Sequence, residues 1–185
     1  MRNSFLLRLV VPLIALLLAP SVRAETLSTP KDALKQLLGG AAKIFKSDVA
    51  ATPEDVKALK EGWAVQDAAA TFYLGKAADG TTQSAAIILT DQGKEGPITA
   101  AVGLNPKGAI TNIVLLDFSE SRGKPASEPP FLKQFSGKDA SNRFKLGTDI
   151  DGVSGATYTS TAMASIARRA TALYKVLVLG REGKK

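Results

Sequence analysis

Between Thr71 and Leu116 the chain repeats one local pattern four times, and that repetition fixes what it can fold into. The runs are Thr71-Phe72-Tyr73-Leu74, Ser84-Ala85-Ala86-Ile87-Ile88-Leu89-Thr90, Ile98-Thr99-Ala100-Ala101-Val102-Gly103-Leu104 and Ala109-Ile110-Thr111-Asn112-Ile113-Val114-Leu115-Leu116. Each is short and rich in β-branched or aromatic residues. Asp79-Gly80, Gln92-Gly93-Lys94 and Asn105-Pro106-Lys107-Gly108 separate them with turn chemistry. The pattern predicts a meander of short antiparallel strands.

Helical periods flank the meander. Residues 26–39 open with a cap-like Ser28-Thr29-Pro30, and Leu34, Leu37 and Leu38 share one face before Gly39-Gly40 ends the pattern. Thr52-Pro53-Glu54-Asp55 is a second start, with Thr52 as N-cap and Pro53 at the first helical position. Val56, Leu59 and Trp63 form its apolar face. A last helix is predicted over residues 160–177, where Ala162, Ile166, Ala170, Leu173 and Leu177 recur at helical spacing and pack across one sheet face. The fold class is α+β: an antiparallel sheet with a C-terminal helix packed on it and two N-terminal helices. Between the last strand and the last helix lies a long irregular region, and loops of that length in a compact domain are commonly functional or mobile.

The first 24 residues read as an export signal. Arg2 and Arg8 give a basic start, residues 9–19 are apolar apart from Pro12, and Val22-Arg23-Ala24 fits the small-residue rule for cleavage after Ala24. The apolar run is shorter than the roughly 20 residues a membrane span needs; an uncleaved anchor is the alternative. With no twin-arginine pair, the general export route for unfolded chains is expected, delivering the protein across the cytoplasmic membrane to the periplasm. Removing residues 1–24 leaves 185 − 24 = 161 residues and takes away Arg2, Arg8 and Arg23, so the formal charge falls from +7 to +4. The remaining lysines are scattered, without a basic block that would mark nucleic-acid binding.

The composition excludes several chemistries. With no Cys there is no disulfide, thiolate-held iron–sulfur cluster or thioether-linked haem. With no His there is no Ser-His-Asp triad and no His-based metal centre. Redox chemistry in such a chain requires a bound organic cofactor.

One stretch offers a place for it. Asp151-Gly152-Val153-Ser154-Gly155-Ala156-Thr157-Tyr158-Thr159-Ser160 delivers small polar side chains to a helix N-terminus, where unpaired N–H groups and a partial positive charge favour phosphate. Gly155 and Ala156 allow close approach, and Thr157 supplies a hydroxyl that could hold or esterify a phosphate. The plainer reading is a helix cap with Thr159 or Ser160 as N-cap before Met163-Ala164-Ser165-Ile166.

Asp151, Ser154, Gly155, Ala156 and Thr157 resemble the flavinylation motif of the FMN-binding domain family: Asp, two variable residues, Ser or Thr, then Gly-Ala-Thr. That family includes the C subunit of the sodium-pumping NADH:quinone oxidoreductase and the G subunit of Rnf-type complexes. A second run, Glu120-Ser121-Arg122-Gly123, resembles the family's Glu-Thr-Pro-Gly segment, with Arg122 on the Pro side as a departure. It is closer to the Glu-Ser-Arg-Gly form of stand-alone exported members. Phe131-Leu132-Lys133-Gln134-Phe135-Ser136-Gly137-Lys138 is also family-like.

The resemblance covers about residues 30–178, and residues 25–185 are read as a single FMN-binding domain: a helical part over 25–65, a flavin-binding core over 66–178 and a basic tail over 179–185, frayed from Gly180 on. It implies FMN held as a phosphoester on Thr157, with Ser154, Gly155, Ala156, Asp151, Tyr158, Thr159 and Ser160 around it and Glu120, Arg122 and Gly123 contributing from the loop. It further implies a magnesium-dependent FAD:protein FMN transferase as attaching partner, and a membrane-bound redox donor or acceptor. Asp151 is read as a local turn acceptor. Arg122 either pairs with the phosphate or reduced ring, or makes a surface ion pair with Glu120 or Glu128. Phe118, Phe131 and Phe135 are read mainly as core residues that could also shield the ring, and Trp63 as a packing residue that could stack on it. The function expected is an electron carrier; a small flavin reductase and a non-catalytic FMN-binding sensor or structural module are the alternatives.

Overall fold

A computed structural model of the chain describes residues 25–182; the export signal read over residues 1–24 lies outside them. Strand β1 (Glu25–Thr26) leads to helix α1 (Pro30–Leu38), strand β2 (Lys43–Ala50) and helix α2 (Pro53–Trp63). The meander follows as β3 (Ala69–Lys76), β4 (Thr82–Gln92), β5 (Pro97–Leu104) and β6 (Ile110–Phe118). A loop with short helical turns, among them α3 (Pro129–Leu132), then reaches the long helix α4 (Thr157–Tyr174). That helix continues as a π-helical turn over Lys175–Leu179 and a last turn, Gly180–Glu182.

The two N-terminal helices start where the sequence puts them. The Thr29 hydroxyl accepts from the Asp32 N–H at 3.2 Å. Thr52 and Asp55 form a reciprocal capping box with bonds of 3.0 and 3.2 Å. Each helix has Pro in its first turn, where no intrahelical N–H is needed.

The sheet is antiparallel throughout, in the order β1-β6-β5-β4-β3-β2. Strands β3 to β6 are those the four runs and their turns predict. Strand β2 is not: it lies between the two helices and pairs with β3 from Lys43↔Lys76 to Ala50↔Ala69. As an edge strand it is largely exposed, and its Lys-Ile-Phe-Lys-Ser-Asp sequence has no clean period because only one side meets a neighbour.

Helices cover both faces. On one, α4 and α2 pack over a large core that includes Leu59, Phe72, Ile87, Val102, Ile113, Ile166, Leu173 and Tyr174. The Phe72 and Tyr174 rings meet edge to face at 5.7 Å. On the other face α1 builds a smaller cluster of Ala33, Leu37, Ile88, Ala101, Val114 and Leu116. Gly103 makes that contact close, since a Cβ there would stand 2.9 Å from Leu37 Cδ2.

Two ends differ from expectation. Helix α4 starts at Thr157 with Ala156 as N-cap, so Thr159 and Ser160 are inside the first turn rather than capping it. The basic tail is docked at its start: Arg181 Nη2 lies 2.7 Å from both Asp55 Oδ2 and the Ala50 carbonyl, tying the last turn to α2 and β2.

Candidate functional site at the start of the long helix

The Gly-Ala-Thr turn is built by a left-handed residue. Gly155 has φ +78°, and a Cβ there would meet nothing within 4 Å, so the approach to Thr157 is open. The Ala156 N–H donates to the Val153 carbonyl at 3.0 Å, closing the turn. The Val153 N–H donates to Ser160 Oγ at 3.2 Å, which fastens the turn to the buried side of α4. Thr157 is exposed at the first helical position, and no side chain caps α4. An uncapped first turn keeps its N–H donors for an external acceptor. Ser154 and Gly155 are exposed and Tyr158 is 64 % exposed, whereas Ala156, Thr159 and Ser160 are buried.

The loop after β6 comes directly under this turn. Glu120 is only 6 % exposed. Its Oε1 accepts from the Glu95 N–H at 2.7 Å, and its Oε2 accepts from the Thr159 hydroxyl at 3.3 Å. Glu95 returns the link, accepting from the Ser121 N–H at 3.0 Å and the Ser121 hydroxyl at 2.6 Å. The β4–β5 turn and the loop are thus cross-braced, and the brace ends on the first turn of α4. A carboxylate under a helix N-terminus also opposes the positive end of the macrodipole.

Two glycines make room for it. A Cβ on Gly93 would collide with the Glu120 carboxylate, and one on Gly123 would collide with the Thr159 hydroxyl and stand 2.6 Å from Glu120 Cβ. The Glu95 carboxyl is held below the ordinary carboxylate range, first by the Ser121 hydroxyl and then by its N–H, with the charges of Lys94 and Arg122 adding to the effect.

The structure therefore joins the two motifs, 39 residues apart, that the sequence presents separately. It changes the parts played by three residues. Glu120 faces the protein, not the open side of the turn, because both its oxygens are engaged. Arg122 is exposed, and its charge acts on Glu95 rather than making an ion pair with Glu120 or Glu128. Asp151 is held through its main chain, donating to Gln134 Oε1 at 2.7 Å and accepting from Gln134 Nε2 at 3.2 Å, which ties the start of the turn to the loop 17 residues earlier.

The aromatic residues belong to the core. Phe131 and Phe135 meet edge to face at 5.4 Å, and Phe135 stacks on Phe144 at 6.4 Å. Phe118 is buried in the same cluster. Trp63 donates from Nε1 to the Ala140 carbonyl at 2.7 Å, and Lys175 sits 5.3 Å above its ring, at the far end of α4 from Thr157.

Sequence reasoning passed over a groove beside α4. Its lining is Phe144, Lys145, Leu146, Thr161, Ala164, Ser165 and Arg168, and it encloses about 300 Å³. The available signal is the stripe Thr157, Thr161, Ser165, Arg168, polar positions at near-helical spacing along one side of α4.

Comparison with known proteins agrees with this geometry. Residues 93–172 match the model of the FMN-binding domain family. The match opens at Gly93, beside Glu120, and closes within α4, so it encloses every element of the brace and the Thr157 turn. No curated protein matches the chain significantly. Among solved structures, Shewanella oneidensis NqrC is similar at 14 % identity with a TM-score of 0.54, covering 83 % of this chain and 98 % of that one. The C subunit of the Na(+)-translocating NADH-quinone reductase from Parabacteroides distasonis aligns at 19 % identity and a TM-score of 0.49, covering 73 % and 76 %. At 14 % identity the likeness to the Shewanella protein is one of fold. The family match is confined to residues 93–172, and it is this segment, holding both the brace and the Thr157 turn, that is similar to the FMN-binding domain family.

Proposed function

We propose that this protein is an exported electron-transfer flavoprotein that carries FMN as a phosphoester on Thr157. The observation that carries the reading is the exposed Thr157 hydroxyl on an uncapped helix N-terminus beside the open, left-handed Gly155. The site fits a phosphate by the chemistry of its donors: free first-turn N–H groups, a positive helix end and a hydroxyl within the same turn. Bound flavin supplies the electron chemistry that this Cys- and His-free chain does not.

The chain's own residues position and retain. Gly155 and Ala156 give access, Ser160 fixes the turn, and Glu120, Glu95, Ser121 and Thr159 hold the helix start against the sheet. Attachment joins Thr157 Oγ to the FMN phosphorus of FAD and breaks the bond to AMP, which leaves; the threonine proton is released. A magnesium-dependent FAD:protein FMN transferase outside the cytoplasm is the proposed catalyst, with Thr157 as acceptor. A cofactor held by its phosphate end cannot diffuse away, which suits an exported carrier between a membrane-bound redox partner and an acceptor beyond the membrane.

The test is intact mass after co-expression with an active flavin transferase, followed by peptide mapping. A mass increase of one FMN less one water on the Thr157 peptide is expected. An unmodified chain, with a control substrate flavinylated in the same cells, would overturn covalent attachment and favour a non-covalent FMN module.

A further inference from the structure

The groove beside α4 begins one turn from Thr157. At 100° per residue, Thr161, Ala164, Ser165 and Arg168 all lie within about 80° of Thr157 around the helix axis. The rise of about 1.5 Å per residue puts Thr161 about 6 Å and Arg168 about 16 Å along the axis from Thr157. The Thr161 hydroxyl donates to the Thr157 carbonyl at 2.8 Å, so the head of the groove and the attachment residue are in direct contact.

The lining is mixed in a particular way. Phe144, Leu146 and Ala164 are apolar, Thr161 and Ser165 bring hydroxyls, and Lys145 and Arg168 bring two cations. No acidic residue lines the groove. Arg168 Nε is buried without a hydrogen-bond partner, the one such side-chain atom among the described residues. Phe144 carries φ +54°, a left-handed conformation unusual for an aromatic residue, and its stacking on Phe135 fixes that wall. Strain of this kind tends to collect at ligand sites.

We propose that this groove seats the isoalloxazine of the FMN attached at Thr157, and that Arg168 and Lys145, rather than Arg122, are the cations that set its potential. The inference rests on the attachment reading. A flat, largely apolar ring with carbonyl and nitrogen acceptors along one edge matches apolar walls with cations and hydroxyls between them. Positive charge near that edge favours the reduced flavin, which gathers electron density there. Arg122, exposed beside Glu95, lies on the braced loop and not along the groove.

The experiment uses the full chain flavinylated in cells, with intact mass recorded for each sample. Arg168→Gln and Lys145→Gln remove the cations, Ser165→Leu fills the groove, and Arg122→Gln is the comparison. All four are expected to keep the mass of one FMN. Arg168→Gln should lower the midpoint potential by a tenfold or greater shift of the reduced-to-oxidised equilibrium, ~30 mV for a two-electron couple. Lys145→Gln, at an exposed position, should shift it in the same direction by less, and Arg122→Gln least of all. Ser165→Leu should abolish the visible circular dichroism that a ring fixed in a chiral site gives.

Flavinylated Lys145→Gln and Ser165→Leu proteins with wild-type potential and dichroism would overturn the placement, as would a larger potential shift in Arg122→Gln than in Arg168→Gln. Lack of flavin in the wild-type mass would overturn the attachment and this inference with it. The mass therefore separates the two failures.

Discussion

Replacing Glu120 by alanine tests whether the loop and the long helix are held together by one buried carboxylate. The side chain is 6 % exposed, and both oxygens are engaged. Its bond from the Glu95 N–H is short at 2.7 Å, and bonds to a charged group contribute about 1.5–3 kcal/mol. The Thr159 contact at 3.3 Å is long and adds less than about 1 kcal/mol. The sum is a loss of about 2–4 kcal/mol, including the unsatisfied Glu95 N–H. For a domain of this size that corresponds to a fall in Tm of roughly 5–15 °C. Urea and thermal unfolding followed by circular dichroism on the unflavinylated chain would measure it. Because the brace ends on Thr159, two residues after Thr157, the proposed attachment predicts that flavin yield under limiting transferase falls as well. A stability change below about 0.5 kcal/mol would refute the brace, since it would equal an ordinary surface substitution.

Thr157→Ala should abolish covalent flavin on a denaturing gel while leaving Tm within about 2 °C of wild type, because the residue is exposed and its hydroxyl caps nothing. Gly155→Val places a β-branched residue at φ +78° and should cost about 1–3 kcal/mol and slow flavinylation, measured by unfolding and by the time course of mass increase. Acid sensitivity follows from Asp48, Asp55, Asp79, Glu95 and Asp139, all held below their ordinary values by hydrogen bonds, with Thr71, the Thr52 backbone, Thr81, Ser121 and Ser141 as the respective leading donors. A depressed folded value gives stability that is present above the unfolded value and lost as pH falls through the folded one. Urea midpoints should therefore hold steady down to about pH 5 and decline below about pH 4. Ser121→Ala should make that decline shallower, and an unchanged slope would remove Glu95 from the explanation.

What the sequence made legible was local. Strands β3 to β6 are short apolar runs bounded by turn residues, with helices covering both faces of the sheet, so the runs and the turns between them sufficed. The caps at Thr29 and Thr52 are local too, set by residues three apart. Strand β2 escaped because its partner is β3, beyond α2, and an edge position with lysines on both sides leaves no period to read. The start of α4 was placed three residues late, since Thr159 and Ser160 look like caps. Gly155 instead turns the chain into the helix earlier, which leaves Thr159 free to meet Glu120. The motifs themselves were visible, but their contact was not, because nothing local links position 120 to position 159. Arg122 stands beside Glu120 within a motif and is legible as a candidate cation, whereas Arg168 belongs to no motif and is brought to the groove only by the helix.

The polypeptide enters the described domain along β6, where Glu25 pairs with Phe118, two residues before Glu120. It leaves beyond Arg181, which is bound to Asp55. Residues 157 and 181 are separated by about 35 Å of helical rise. The domain therefore has a polarity. Whatever precedes Glu25, be it an anchor, a short amino terminus or an engineered tag, emerges beside the Thr157 end, while anything appended at the other end emerges far from it. Under the proposed function a tether at the amino terminus would hold the Thr157 turn close to its anchor point, and for the experimenter the carboxyl terminus is the place for a handle that leaves that turn undisturbed.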